Sequence, residues 1–260
     1  MAAHRESFYK SLPKGGIVAE IGVFTGDGAR CILEYCQPKE LWLIDIWSPG
    51  QDNSTIRCLD HYLGILTWAK LNSTSNTKIK VIRDQSLAAV NFFPDEYFDW
   101  VFIDADHKYG PVRDDLHAWT LKTKKDGYIC GDDFVLASPM WEGVYKAVIE
   151  YVLKYVENKP DFLKKLMPLE ETWPSDYRGP EWLTGILAGS MEFYPYPARI
   201  FKIKKSNLKK LPPSAYRPKP KSSGELVTPL PEIIRKKLEA KKNIFDLSGV
   251  LIYDASESEK

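Results

Sequence analysis

The chain has only four cysteines, Cys31, Cys36, Cys58 and Cys130, and no two of them form a C-x-x-C pair or a zinc spacing. That excludes a zinc-finger framework and a disulfide scaffold, and the four read as reduced thiols of a cytoplasmic protein. No apolar run approaches the ~18–20 residues of a membrane helix, so no membrane partner is expected. The first residues, MAAHRESFYKSLPKGG, lack the apolar core of a signal peptide. An excess of one charge is also missing: 36 Lys+Arg meet 35 Asp+Glu in 260 residues, which argues against a protein that is basic throughout, and a nucleic-acid partner is not expected. At 44% hydrophobic and 27% charged, the composition is that of a folded globular chain, not a disordered or coiled-coil one.

What is present is an alternation. Short apolar runs at Ile17–Ile21, Leu41–Ile46, Lys78–Ile82, Phe98–Ile103 and Gly127–Cys130 read as strands. Between them lie segments of helical spacing: Ala29–Tyr35, His61–Lys70, Leu87–Phe93, Val112–Thr123 and, after the fifth strand, Val144–Val156. The pattern predicts an α/β fold, a Rossmann-like doubly wound sheet that is mostly parallel. Ala198–Lys204 adds a strand, expected to be antiparallel and C-terminal. The division expected is a catalytic domain over 1–204 and a basic, Pro-rich extension over 205–260, with NIFDLSGVLIYD (243–254) apolar enough to dock as a last strand. Residues 202–242 hold 13 Lys+Arg, three Glu and six prolines, so the rest of the chain is acidic on balance.

In such sheets ligands sit at the carboxyl ends of the strands. The first strand ends in Glu20-Ile21-Gly22-Val23-Phe24-Thr25-Gly26-Asp27-Gly28, a G-x-x-x-G-x-G turn that is neither a dinucleotide fingerprint nor a P-loop. An acid before that turn repels pyrophosphate and suits an ammonium group. Asp45, ending the second strand, can accept from a ribose diol. A nucleoside bearing an amino acid, S-adenosylmethionine, fits both acids. The plainer alternative is a cluster of turn glycines with a capping acid. Asp104, Asp106 and His107 follow strand four, and Asp132 and Asp133 follow strand five. Carboxylates on neighbouring strand ends call for a cation, and an all-oxygen set favours Mg²⁺ or another hard divalent ion. The alternatives are a helix N-cap at Asp132 or Asp133, a solvent-facing Asp106 and a structural His107.

These segments carry a resemblance. VAEIGVFTGDGA, LWLIDIW, VIRDQS, FDWVFIDADHKYGPVRDDLHAW and GYICGDDF, spread over residues 16–150, resemble class I S-adenosylmethionine-dependent methyltransferases. More narrowly, they are similar to the metal-dependent O-methyltransferases of the catechol type and of the sugar and macrolide type. The resemblance implies methionine-end contacts from Glu20 and the turn of Gly22, Phe24, Thr25, Gly26 and Gly28, and Asp104 is also expected to bind the cofactor. It implies ribose contact from Asp45, adenine-side contact from Asp84, Gln85 and Ser86, and metal ligation by Asp104, Asp132 and Asp133. Asp106 is implied as general base, ahead of Lys108, which lies one position late for the catechol pattern; His107 beside it is expected as a catalytic residue at the substrate, with a structural hydrogen bond as the alternative. The expected activity is Mg²⁺-dependent methyl transfer to a hydroxyl of a small molecule. The alternatives are N-methyl transfer, other chemistry on the same cofactor, and a non-catalytic recruiting role.

Two features depart from that pattern. Only about 16 residues precede the first strand, so the cofactor cover is expected from residues 48–60, from the tail, or from a second copy of the chain in a homo-oligomer. Segment 157–197 carries Trp173, Tyr177, Trp182, Phe193, Tyr194 and Tyr196, either an acceptor wall or a loop packing its own rings.

Overall fold

The structure, a computed structural model, describes residues 3–47, 55–134, 142–157, 192–194, 200–213 and 252–254. The acceptor wall expected from Trp173, Tyr177, Trp182 and Tyr196, and most of the basic segment, lie outside the described residues. A short helix α1 (Ala3–Lys10) precedes strand β1 (Ile17–Ile21). Then come α2 (Asp27–Cys31), β2 (Glu40–Asp45), α3 (Thr55–Asn72), β3 (Lys78–Arg83), α4 (Ser86–Ala89) and β4 (Phe98–Ile103). The chain continues through α5 (Tyr109–Lys122), β5 (Thr123–Gly131), α6 (Glu142–Tyr155), β6 (Glu192–Tyr194), β7 (Ile200–Lys204) and β8 (Ile252–Asp254).

The strands form one sheet in the order β6-β7-β5-β4-β1-β2-β3-β8. Strands β5, β4, β1, β2, β3 and β8 run parallel, while β7 is antiparallel to β5 and β6 to β7. This is the Rossmann-type α/β sheet, mostly parallel with an antiparallel C-terminal pair, that the alternation predicts. A parallel sheet is covered on both faces, which explains why its strands read as unbroken apolar runs. Successive residues point to opposite sides. Leu41 and Leu43 join a core with Phe8, Tyr9, Tyr62 and Ile65 from α1 and α3. Trp42 and Ile44 join the opposite core, with Trp119 from α5 and Val148 and Tyr151 from α6. In α3 the buried residues Tyr62, Ile65, Leu66 and Ala69 keep the spacing of one helix face.

Three boundaries differ from expectation. Helix α1 forms where no element was expected: Phe8 and Tyr9 are wholly buried, both packing their rings on Phe102 of β4. Helix α3 begins at Thr55, ahead of the helical segment expected at His61–Lys70. Strand β5 begins at Thr123, which pairs with Phe98 of β4, and a register shift follows before Tyr128 pairs with Trp100. Beyond residue 204 the chain stays attached: Lys205 is buried and donates to Thr123 O at 2.5 Å, Lys209 N–H donates to Tyr155 O at 2.8 Å, and β8 pairs with β3.

The order reverses at β1, which lies between β2 and β4. Gly22, just past β1, stitches the three ends together. Its N–H donates to Ile44 O at 2.8 Å, and beside it Asp104 N–H donates to Ile21 O at 2.7 Å. Gly22 sits at φ +87°, and a Cβ there would lie 2.0 Å from Asp104 O. A side chain would therefore meet both left-handed strain and backbone overlap. Gly22→Ala is expected to lower unfolding free energy by about 3 kcal/mol or more, adding overpacking to strain. Urea denaturation followed by tryptophan fluorescence measures it; a variant as stable as the wild type would contradict the close approach.

Candidate functional site

The carboxyl ends of β1 to β4, with the start of α5 and Asp133 beyond β5, enclose a cavity of about 1140 Å³. That is roomy beside the ~300–1,000 Å³ of small-molecule sites. Of the predicted residues, Glu20, Gly22, Phe24, Thr25, Gly28, Asp45, Asp84, Gln85, Ser86, Asp104, Asp106, His107 and Asp133 all line it. Gly26 and Asp132 do not. Gly26 instead shapes the turn: it holds φ +83°, and Ile65 Cδ1 lies 2.4 Å from where a Cβ would be.

At the β1 end, Glu20 is 2% exposed. A Cβ on Gly28 would fall 2.0 Å from its Oε1, so glycine at the start of α2 is what lets the carboxylate stay there. Asp45 anchors the next strand end. Its Oδ2 accepts from Val23 N–H at 2.7 Å and Phe24 N–H at 2.9 Å, and its Oδ1 accepts from Trp47 N–H at 2.7 Å. A carboxylate has about four acceptor positions, so roughly one remains for a ligand hydroxyl. The same bonds hold Phe24 at φ 49° with its ring 66% exposed at the cavity wall. Trp47 Nε1 donates to Phe24 O at 3.1 Å and completes the clamp.

At the other end, Asp104, His107 and Asp133 bring ligand atoms within 4.8 Å of one another. His107 Nε2 lies 3.0 Å from Asp133 Oδ2 and 3.9 Å from Asp104 Oδ1. Its hydrogen bonds to Asp104 and Asp133 draw the imidazole up to about 10. The pair of acids thus holds one positive charge, and the imidazolium supplies it here. Of the expected ligand set, Asp104 and Asp133 fall in this group together with His107, and Asp132 is not in it. Neighbouring side chains leave the backbone in different directions, and Asp133, at φ 57°, turns toward the cavity. Asp132 is buried away from it, its Oδ1 accepting from Asp133 N–H at 2.7 Å. Two carboxylates and an imidazole still fit a divalent cation, with a mixed oxygen and nitrogen set in place of the all-oxygen one. Asp106 is exposed on the cavity wall; Oδ1 accepts from Lys108 N–H at 2.8 Å, as a capping acid would, and Oδ2 accepts no hydrogen bond among the described residues.

The β3 end holds a residue that sequence reasoning missed. Ser86 Oγ donates to Asp115 Oδ1 at 2.5 Å and accepts from Trp119 Nε1 at 2.8 Å. Asp115 is 3% exposed yet lines the cavity. Burial pushes its carboxyl up to about 7, opposed by the Ser86 hydrogen bond and reinforced by Asp114 and Asp106. The signal was present: Val112, Asp115, Leu116 and Trp119 fall on one helical stripe, and only one of them is an acid.

With this geometry in place, the comparisons with known proteins take on meaning. Residues 19–134, from β1 to just beyond β5, match the family model described as a methyltransferase domain. No curated protein matches the chain. Among solved structures, a protein from Corynebacterium glutamicum is similar at 11% identity, with 78% of each chain covered and a TM-score of 0.46. TYW2 of M. jannaschii, solved with AdoMet, is 13% identical, with 78% of this chain and 76% of that one covered and a TM-score of 0.42. A protein of Streptococcus mutans solved with SAH is 9% identical, with 76% and 94% covered and a TM-score of 0.45. Residues 19–134 thus resemble a methyltransferase domain, over a little under half of the chain. That match supports a transferase of methyl groups.

Two outcomes follow from the polar contacts. Asp45→Ala removes the acceptor of three backbone donors and is expected to cost about 2–4 kcal/mol, measured by chemical denaturation. For Asp115, the unfolded carboxyl ionises near 3.8 and the folded one near 7, so the folded state holds the extra proton between those values. Stability therefore falls as pH rises across that window, and the loss is complete above it. Asp115→Asn is expected to flatten that part of the stability profile, and denaturation midpoints at pH 4.5 to 7.5 would show an unchanged slope if the assignment were mistaken.

Proposed function

We propose that the chain methylates a hydroxyl of a small molecule, a sugar, a polyketide-like metabolite or a catechol, with a divalent cation as activator. The observation that carries this reading is the convergence of Asp104, His107 and Asp133 on the cavity that Glu20 also lines. Those three residues would hold the ion, which when bound acts as a Lewis acid on the acceptor hydroxyl. The mixed donor set accommodates Mn²⁺ and similar ions as well as Mg²⁺.

The chain's own residues divide the remaining work. Glu20, with the Gly22–Gly28 turn, meets the ammonium group of the cofactor's amino-acid end. Asp45 has one acceptor position for the ribose, and Phe24 and the exposed Ile46 add apolar wall. Asp106 receives the hydroxyl proton on its open oxygen. The oxygen then attacks the methyl carbon, the O–CH₃ bond forms as the S–CH₃ bond breaks, and that electron pair stays on sulfur. Holding the two reactants in line can supply roughly 7–11 kcal/mol of the barrier.

One observation favours a second reading, transfer to nitrogen with the acids acting as bases. The described cavity wall carries Asp27, Asp106 and Asp114 beside the acids already placed, and no lysine or arginine, which suits an acceptor bearing a protonated amine. Metal dependence separates the two. Methyl transfer to a panel of sugars, catechols and amines, followed by mass spectrometry, is expected to appear on a hydroxyl and to be lost in EDTA; undiminished activity in EDTA would remove the metal from the reading. Asp104→Ala is expected to abolish the metal-dependent rate with its circular dichroism unchanged, and Asp106→Asn to lower kcat by about 10²–10⁴.

A further inference from the structure

Resting on the cofactor reading above, we propose that Arg83 is a positioning residue for cofactor binding: its guanidinium sets the backbone of Trp47, and through Trp47 that of Phe24 on the cavity wall. Arg83 ends β3, opposite Asp45 of β2 in the register, and is not among the residues that line the cavity. Its Nε donates to Ile46 O at 3.3 Å and its Nη2 to Trp47 O at 3.5 Å. Those two carbonyls belong to the peptide groups on either side of the Trp47 Cα. Their mutual orientation is set by φ and ψ of Trp47, and a guanidinium, whose donors form a rigid planar fork, holds both at once.

What is held is a conformation that side chains disfavour. Trp47 sits at φ 36° and Phe24 at φ 49°, in the left-handed region where Cβ crowds the following carbonyl oxygen. Such a conformation persists only where the surroundings fix it. Both residues are fixed on each side. For Trp47, Asp45 Oδ1 takes the N–H and Arg83 takes the two carbonyls. For Phe24, Asp45 Oδ2 takes the N–H and the Trp47 indole donates to the carbonyl. The indole reaches Phe24 O only while Trp47 keeps its backbone angles, so the chain of contacts runs from Arg83 to Trp47 to Phe24. Tyr62 of α3 keeps the first two in line. The Trp47 ring lies against it at 5.0 Å between centroids and 33°, and Arg83 Cζ lies 5.3 Å from its ring centre. Tyr62 and Trp47 are buried, whereas Phe24 and Ile46, at the open end of the chain, are exposed and line the cavity. A wall set in advance spares the ligand the cost of ordering it, so Arg83 contributes affinity without touching the cofactor.

Calorimetry of the full chain with S-adenosylhomocysteine, at a temperature where urea denaturation shows each variant folded, tests this. Arg83→Met keeps the length of the side chain and removes the fork, and is expected to weaken binding by roughly tenfold. Arg83→Lys, which keeps the charge as a single point, is expected to bind little better than Arg83→Met. Trp47→Phe keeps a ring on Tyr62 and removes the indole donor. It should weaken binding to a similar degree, and the double variant Arg83→Met with Trp47→Phe no further, because both act along one chain of contacts. A merely structural Arg83 predicts a lower urea midpoint with dissociation constants within about twofold of the wild type, and that result would overturn the proposal. Full rescue by Arg83→Lys, or additive losses in the double variant, would overturn it too. Failure of the wild type to bind S-adenosylhomocysteine would instead overturn the cofactor reading on which the proposal rests.

Discussion

Strand β1 lies between β2 and β4, and the chain leaves it in opposite senses on the two sides. Loops that follow neighbouring strands therefore diverge, and a crevice opens over the end of β1. The structure holds that crevice open by backbone hydrogen bonds and not by side-chain bulk. Gly22 lets β1 and β4 close to contact distance, and Asp45 binds the β1 turn to the end of β2 through the N–H groups of Val23 and Phe24. Each residue of the cavity wall inherits its position from these few bonds. Phe24 shows how firmly they act, since an aromatic residue at positive φ persists only where its surroundings fix both of its peptide groups.

The electrostatic character of the site follows from the same placement. Strand ends in a parallel sheet gather whatever side chains terminate the strands, and here those are acids: Glu20, Asp45, Asp84, Asp104 and, beyond β5, Asp133. Each is offset differently. Asp45 spends its charge on backbone donors, Asp104 and Asp133 share His107, and burial raises the Asp115 carboxyl to about 7. Glu20 remains where a cationic ligand group would sit. The cavity thus divides into regions of distinct charge.

How much of this was legible in the sequence can be judged residue by residue. Glu20, the glycine turn and Asp104 were readable because strand-end position alone determines what they face. Asp132 and Asp133 were not separable, because adjacent residues after a strand differ only in backbone angles, and a positive φ at an aspartate leaves no trace in composition. His107 was legible as a member of the site, yet its role between two carboxylates depends on a contact between loops. Asp115 was hidden for a different reason: a helical stripe is scanned for apolar residues, and an acid on it passes as a neighbour of the core. Helix α1 was missed because its burial rests on two aromatic residues, Phe8 and Tyr9, too few to set a period.

Strand β8 lies beside β3 although the two are far apart in sequence. During synthesis, the β3 edge would emerge and pair with β2 long before residues 252–254 exist. Until they arrive, that flank of the sheet presents an uncapped row of amides and carbonyls, the kind of surface through which incomplete chains associate. Completing that edge is therefore a non-local event that waits on the pairing of 252–254 with 81–83.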